Sequence, residues 1–223
     1  MKTPASRLVA RSQASARLVA RWRLRWLLGA LPLLIGLSAS EAAAIAFVKN
    51  IGTATGNNTG TTITITLQTG VSVAAGNSII LSFVSADIGT TFSATDSASN
   101  GYSVDIQGVK TGTGSVRTVI LSAHNVSALA AGNTITVTFP STTSRRVLTA
   151  DEFSGLAKSG TLDKTSSAGS SGTTPDSGFT ATTTQAAELL LGAIGVAGAN
   201  SDTFTAGDDA LHRRQQPLHP GPV

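Results

Sequence analysis

Residues 61–69 read TTITITLQT and residues 133–139 read NTITVTF, and these two stretches decide the fold class. Successive side chains of a strand point to opposite faces. Ile63, Ile65 and Leu67 therefore share one face while Thr62, Thr64 and Thr66 share the other. In the same way Ile135, Val137 and Phe139 oppose Thr134, Thr136 and Thr138. Period two with β-branched residues on both faces predicts half-buried antiparallel strands. A third stretch, NSIILSF (77–83), sets Ile79, Leu81 and Phe83 opposite Ser78 and Ser82.

Two of these stretches belong to an internal repeat. VAAGNSIILSF (73–83) and LAAGNTITVTF (129–139) align without a gap. Each carries an Ala-Ala-Gly-Asn turn, in which Gly76 and Gly132 supply a positive φ while Asn77 and Asn133 tolerate the tight geometry. Two copies are too few for a solenoid, and their spacing is too short for separate sandwiches. The repeat predicts two similar hairpins in one sheet protein.

Further strands follow on either side. YSVDIQGV (102–109) places Tyr102, Val104 and Ile106 inward, and RTVILSAH (117–124) places Val119 and Leu121 on one face. VLTADEF (147–153) and GFTATTTQ (178–185) continue the pattern. ELLLGAIGVAG (188–198) is continuously apolar, and Gly192, Gly195 and Gly198 disfavour a helix, so it reads as a central strand buried on both faces. SGTLDKTSSAGSSGTTPDSG (159–178) reads as a long surface loop with a short strand near Leu162. Roughly ten strands from Phe47 onward give an all-β chain: an antiparallel β-sandwich, immunoglobulin-like or jelly-roll.

The N-terminus follows other rules. Lys2, Arg7, Arg11, Arg17, Arg21, Arg23 and Arg25 precede an uncharged run, WLLGALPLLIGLSAS (26–40), and small residues through Ala44. A basic region, a short apolar region and a small-residue exit are the parts of a secretory signal peptide, with cleavage after Ser40 or Ala44. A single N-terminal membrane anchor is the alternative, and membrane contact would then run through this segment alone. Against it, a spanning helix needs ~20 apolar residues, whereas this run is shorter and holds Pro32. Setting residues 1–44 aside removes seven of the 16 Lys and Arg and one of the 12 acids, leaving nine against eleven, a net charge of −2. A mildly acidic remainder gives no footing for nucleic-acid binding.

The C-terminus breaks the pattern too. From Asp208 the text becomes DDALHRRQQPLHPGPV, with three of the seven Pro and two of the three His. It reads either as a disordered tail or as the product of a shifted frame that replaces the last strands of the sandwich. The expected organisation is a signal peptide over 1–44, a β-sandwich domain over 45–207 and a Pro/Arg tail over 208–223.

Candidate chemistry is sparse. The absence of Cys excludes disulfides, thiolate metal sites and a Cys nucleophile. No nucleophile elbow, phosphate loop or zinc-protease motif occurs. A Ser-His-Asp site would need His124, the one histidine outside the tail, which alternation sets on a polar face with Ser122. Asp151 and Glu152 are adjacent, so a strand points them to opposite faces; either would need a carboxylate elsewhere, such as Asp105, to work as a pair. The loop Asp96–Gly101 faintly resembles a calcium loop, but Gln107 stands where a bidentate Glu is expected, and a hairpin turn leading to Tyr102 explains it better. Both Trp, at 22 and 26, lie in the signal segment, so an aromatic platform for sugars is not expected either. The exposed Thr rows read as ordinary solvated faces. The expectation is no enzyme, with no catalytic, cofactor-binding or metal-binding residue and no cofactor.

The repeated A-A-G-N-[ST]-I unit, DSASNGY (96–102), EFSGL (152–156) and ELLLGAIGV (188–196) together resemble exported bacterial β-sandwich modules of surface and adhesin-like proteins. The resemblance spans about 46–207 and implies a sandwich fold with no catalytic residues to carry over. The functional expectation is an exported, non-catalytic β-sandwich, secreted or at the cell surface. Its role there would be structural, adhesive or interacting, with an unknown protein or glycan as partner. The alternatives are a carbohydrate-binding module without an aromatic platform and an extracellular hydrolase.

Overall fold

The structure, a computed structural model, describes residues 44–185 and 187–197. The signal segment before residue 44 and the Pro/Arg tail lie outside the described residues. Eight strands follow in chain order: β1 (Ala46–Gly56), β2 (Gly60–Thr66), β3 (Ser78–Ser85), β4 (Ser93–Asp96), β5 (Ser103–Lys110), β6 (Val116–Ala123), β7 (Thr134–Thr142) and β8 (Arg146–Ser154). They form two antiparallel sheets, β1-β8-β3-β6-β5 and β2-β7-β4, and no helix occurs among the described residues. The pairs β1·β8, β2·β7 and β3·β6 nest inside one another along the chain. The two sheets pack face to face as the antiparallel β-sandwich that the alternation predicts.

The alternation in the sequence is what folds the sheets onto each other. Ile63, Ile65, Leu67, Ile135, Val137 and Phe139 of the smaller sheet face Ile79, Leu81, Phe83, Val119, Leu121 and Leu148 of the larger one, and all are buried. Phe83 lies at the centre, its ring 5.1 Å from Phe139 and 5.6 Å from Phe92. Ring pairs of this kind add ~0.5–1.5 kcal/mol each beyond their buried area.

The repeat closes one end of the core. In both copies the Asn N–H bonds back across the turn, Asn77 to Ala74 O and Asn133 to Ala130 O. Gly76 and Gly132 sit at φ +84° and +83°, the conformation a type II turn demands of its third residue. The copies were expected as two similar hairpins of one sheet protein. They pair with each other: Val73 and Leu129 exchange backbone hydrogen bonds of 2.8 and 3.1 Å, Gly76 N donates to Val126 O and Gly132 N donates to Leu67 O. Arginines occupy the opposite end. Register sets Arg146, Ser85 and Arg117 side by side on the inner face of β8, β3 and β6. Arg117 is held by Asp87 and Gln107, while Arg146 lies 5.2 Å above the Phe139 ring and donates to the carbonyls of Asn58 and Ser144.

Several expectations are corrected. A bulge between Val104 and Ile106 breaks the alternation of β5. Tyr102 still packs against the core, but Val104 is exposed on the sheet edge and Ile106 turns outward beside Ile120. The loop 97–102 joins strands in different sheets, so it is a crossing and not a hairpin turn. On the outer face of β3 Ser78 and Ile80 are buried too, while Ser82 and Val84 are half-buried. The stretch 178–185, the described part of 188–198 and the region of Leu162 form no strand. Among the described residues every central strand already has two neighbours, so this run finds no central slot in either sheet. Leu190, expected at the centre of a sheet, is 81% exposed.

Candidate functional site

The outer face of the five-stranded sheet gathers the residues that the sequence offered for chemistry. Ile79 lies opposite Ala123, so Ser78 and His124 meet just beyond that pair. Ser122 lies on the same face, and the β5 bulge turns Asp105 toward it. The resulting contacts are continuous. His124 Nδ1 is 2.9 Å from Ser78 Oγ, its Nε2 is 3.0 Å from Ser122 Oγ, and Ser122 Oγ donates to Asp105 Oδ1 at 2.9 Å. Ser122 has one proton and gives it to the carboxylate. The ring proton therefore sits on Nε2, and Nδ1 accepts from the Ser78 hydroxyl.

Burial works against charge on both groups. It lowers the His124 pKa from the ordinary histidine value, and the nearby Asp105 carboxylate opposes that shift only in part. Burial raises the Asp105 pKa, against the Ser122 hydrogen bond and the His124 charge. Each shift works against the charged form of its own group. The arrangement differs from a Ser-His-Asp triad, where the acid grips the imidazole directly. Here Ser122 stands between them, and the hydroxyl on Nδ1 belongs to Ser78, which is only 2% exposed. What the chain of contacts can do as it stands is hold one tautomer of a neutral imidazole against the sheet.

The other candidates are spoken for by the fold. Asp151 and Glu152 point to opposite faces, as adjacency in a strand required. Asp151 accepts from Asn50 Nδ2 at 3.0 Å. Glu152 is 0% exposed and accepts at Oε1 from Ala74 N (2.8 Å) and Asn77 Nδ2 (2.7 Å), while Oε2 faces Lys49 Nζ at 3.2 Å. It thus locks the first Ala-Ala-Gly-Asn turn. In the second copy Asn133 does the same for itself, its Oδ1 accepting from Ala130 N. Asp96 organises its own loop, accepting from Ala98 N, Asn100 N, Asn100 Nδ2 and the Tyr102 hydroxyl. Burial, then the Asp96 charge, drives the Tyr102 pKa far above the ordinary phenol range. Among the described residues no group of three His, Asp or Glu is placed to hold a metal ion. Sequence reasoning missed Ser78 and the Asp87–Arg117 pair, since each is brought in from a distant part of the chain.

The smaller sheet presents a different surface. Thr62, Thr138 and Ser93 form one row across β2, β7 and β4, and Thr64, Thr136 and Thr95 the next. Thr66 and Thr134 continue it with Ser97, whose N–H donates to Thr134 O just past β4. Strand geometry spaces such rows ~4.8 Å across the sheet and ~6.7 Å along it. All nine side chains are exposed or half-buried, and none carries a charge. Hydroxyls within the rows bond each other, Thr64 to Thr136 at 2.9 Å and Ser97 to Thr134 at 3.2 Å. Such bonds reduce side-chain freedom before any partner arrives. Comparison of the chain with protein-family models, with curated proteins and with solved structures finds no match in any of the three.

Proposed function

We propose that the chain is an exported, non-catalytic β-sandwich that acts by contact, outside the cell or at its surface, through the hydroxyl face of its three-stranded sheet. The observation that carries this reading is the register of that face: three rows of Ser and Thr, uncharged and partly pre-ordered. A surface of this kind suits a neutral, hydrogen-bonding partner, whether a glycan or a protein, because it offers many donors and acceptors without a charge to match. The basic, apolar, small-residue order of 1–44 supports export. The fold commitments of Asp87, Asp96 and Glu152 support a non-catalytic role.

The test is binding of the purified protein to isolated cell-envelope material and to a glycan panel. Thr64→Lys with Thr136→Lys adds two charges to the middle row without touching the core. At least a tenfold loss of binding, with an unchanged far-ultraviolet circular dichroism spectrum, is expected. Binding that the double substitution leaves intact would remove the hydroxyl face from the account.

A second reading draws on the Ser78–His124 hydrogen bond, in which a hydroxyl donates to the histidine nitrogen that accepts. It makes the chain a hydrolase whose Ser78 is uncovered when substrate binds. Turnover of simple ester probes that is abolished by Ser78→Ala would favour it, and no turnover by the folded protein would dismiss it.

A further inference from the structure

Register places two buried arginines on either side of Ser85 at one end of the sandwich, and their guanidinium groups are met differently. Arg117, 7% exposed, donates from Nη1 to Gln107 Oε1, while its Nε and Nη2 both donate to Asp87 Oδ1 at 3.0 and 2.6 Å. Arg146, 6% exposed, begins in the same way, with Nη1 donating to the carbonyls of Asn58 and Ser144 at 2.8 and 3.2 Å. Its other edge departs from that pattern. Among the described residues, Nε is buried with no hydrogen-bond partner, Nη2 donates to none, and no carboxylate forms an ion pair with the group. A buried cation is costly unless its donors are met. The Phe139 ring, 5.2 Å from Cζ, and the two carbonyls meet only part of that need.

The chain leaves room beside this edge. A Cβ on Gly56 would come within 3.0 Å of Cζ and Nε and 3.1 Å of Nη2, and one on Gly60 within 3.2 Å of Nη2. The turn between β1 and β2 therefore approaches the arginine through a glycine at each end. Charge is distributed to suit an anion. Among the described strands, Lys110, Arg117 and Arg146 lie at this end, whereas Asp96, Asp151 and Glu152 lie at the other. A positive end draws an anion before contact is made. Nε and Nη2 together form a two-donor fork that suits a carboxylate, and on Arg117 that same edge holds Asp87. We propose that the Nε–Nη2 edge of Arg146 binds a carboxylate carried by a ligand from outside the chain, on an acidic sugar or on the acidic side chain of a peptide. Nη2 meets it first, and a small shift of the exposed turn 57–59 lets Nε complete the fork.

Nuclear magnetic resonance of the nitrogen-labelled full chain, at mildly acidic pH where arginine side-chain protons exchange slowly, reads the Nε–Hε resonance of Arg146 directly. Arg146→Lys keeps the charge, removes the fork and assigns the resonance by its loss. Should that variant fail to fold, Gly60→Ala assigns it by the shift of a methyl group set 3.2 Å from Nη2. Sodium acetate is expected to move the Arg146 resonance along a saturable curve, sodium chloride at the same ionic strength to leave it in place, and the Arg117 resonance to respond to neither. Gly60→Ala leaves every charge in place and should weaken acetate binding about tenfold or more. Sodium glucuronate and N-acetylaspartate amide carry the same group on a sugar and on a peptide unit, and the one that acts at the lower concentration identifies the source. An Arg146 resonance that acetate moves no more than chloride does, a tighter response to inorganic phosphate than to acetate, or acetate binding unchanged by Gly60→Ala would each overturn the proposal.

Discussion

Glu152→Ala separates a locked turn from a merely well-packed one. Both Glu152 hydrogen bonds converge on Oε1, from Ala74 N and Asn77 Nδ2, at the end of a core strand where the residue is 0% exposed. Removing the carboxylate leaves two donors without an acceptor, at ~1–3 kcal/mol each. Both donors are only partly buried, so the lower half of that range applies and the total is about 3 kcal/mol. For a domain of this size that is a fall in Tm of roughly 6–12 °C. Glu152→Gln keeps an oxygen at Oε1 and loses only the ion pair with Lys49, whose side chain is 38% exposed. A partly exposed pair is worth ~0–1 kcal/mol, so this variant should lose no more than that. Asn133→Ala, at the matching turn, breaks an exposed bond and should cost at most about 1 kcal/mol. Denaturant unfolding followed by circular dichroism gives all three values. A loss below about 1 kcal/mol for Glu152→Ala, or equal losses for the Ala and Gln variants, would refute the reasoning.

Other expectations follow from the same geometry. Gly76→Ala and Gly132→Ala should each cost about 1–2 kcal/mol in the same unfolding assay, because both residues have positive φ while a methyl group meets nothing. Unequal costs would mean that the two turns are not equivalent in conformation. Burial keeps His124 from protonating, so the unfolded chain takes its proton first: the stability this carries is full above about pH 6.5 and is lost as pH falls through and below that value. His124→Asn should therefore flatten the stability profile between about pH 7 and pH 5, and an unchanged profile would count against the buried neutral imidazole. Asp105 acts with the opposite sign, its raised pKa making the ionised form a cost that acid removes. Asp105→Asn should accordingly raise Tm at neutral pH and leave it unchanged below about pH 3.8, and a loss at neutral pH would contradict this.

The core was legible in the sequence because each strand announces its inward face locally. Ile63 and Ile65, or Ile135 and Val137, need no partner to be read. Gly76 and Gly132 were legible for the same reason, the turn being a four-residue matter. What the sequence left open is which strands neighbour which. Ser78, Asp105 and Ser122 come from three strands, and only the β3–β6 register brings Ser78 to His124; nothing within a few residues of either reports it. Ile106 was misread because a bulge at one residue reverses every later side chain in the strand. The 188–198 run was misread for a different reason. Its composition suits a buried strand, but burial also needs a slot, and among the described residues every central strand already has two neighbours. The Thr rows were visible in the sequence as alternation, yet their alignment into one face depends on β4 and β2 both pairing with β7.

The central claim is that this sandwich works outside the cytoplasm. Cell fractionation in the native host, with the mass and N-terminal residue of the protein determined in each fraction, tests it most directly. The expected result is a surface or secreted form that begins after Ser40 or Ala44 and shows no tryptophan emission, since Trp22 and Trp26 leave with the signal. Strong tryptophan emission from an exported form would show that the segment is kept as an anchor. A protein confined to the cytoplasm with its N-terminus intact would contradict the account.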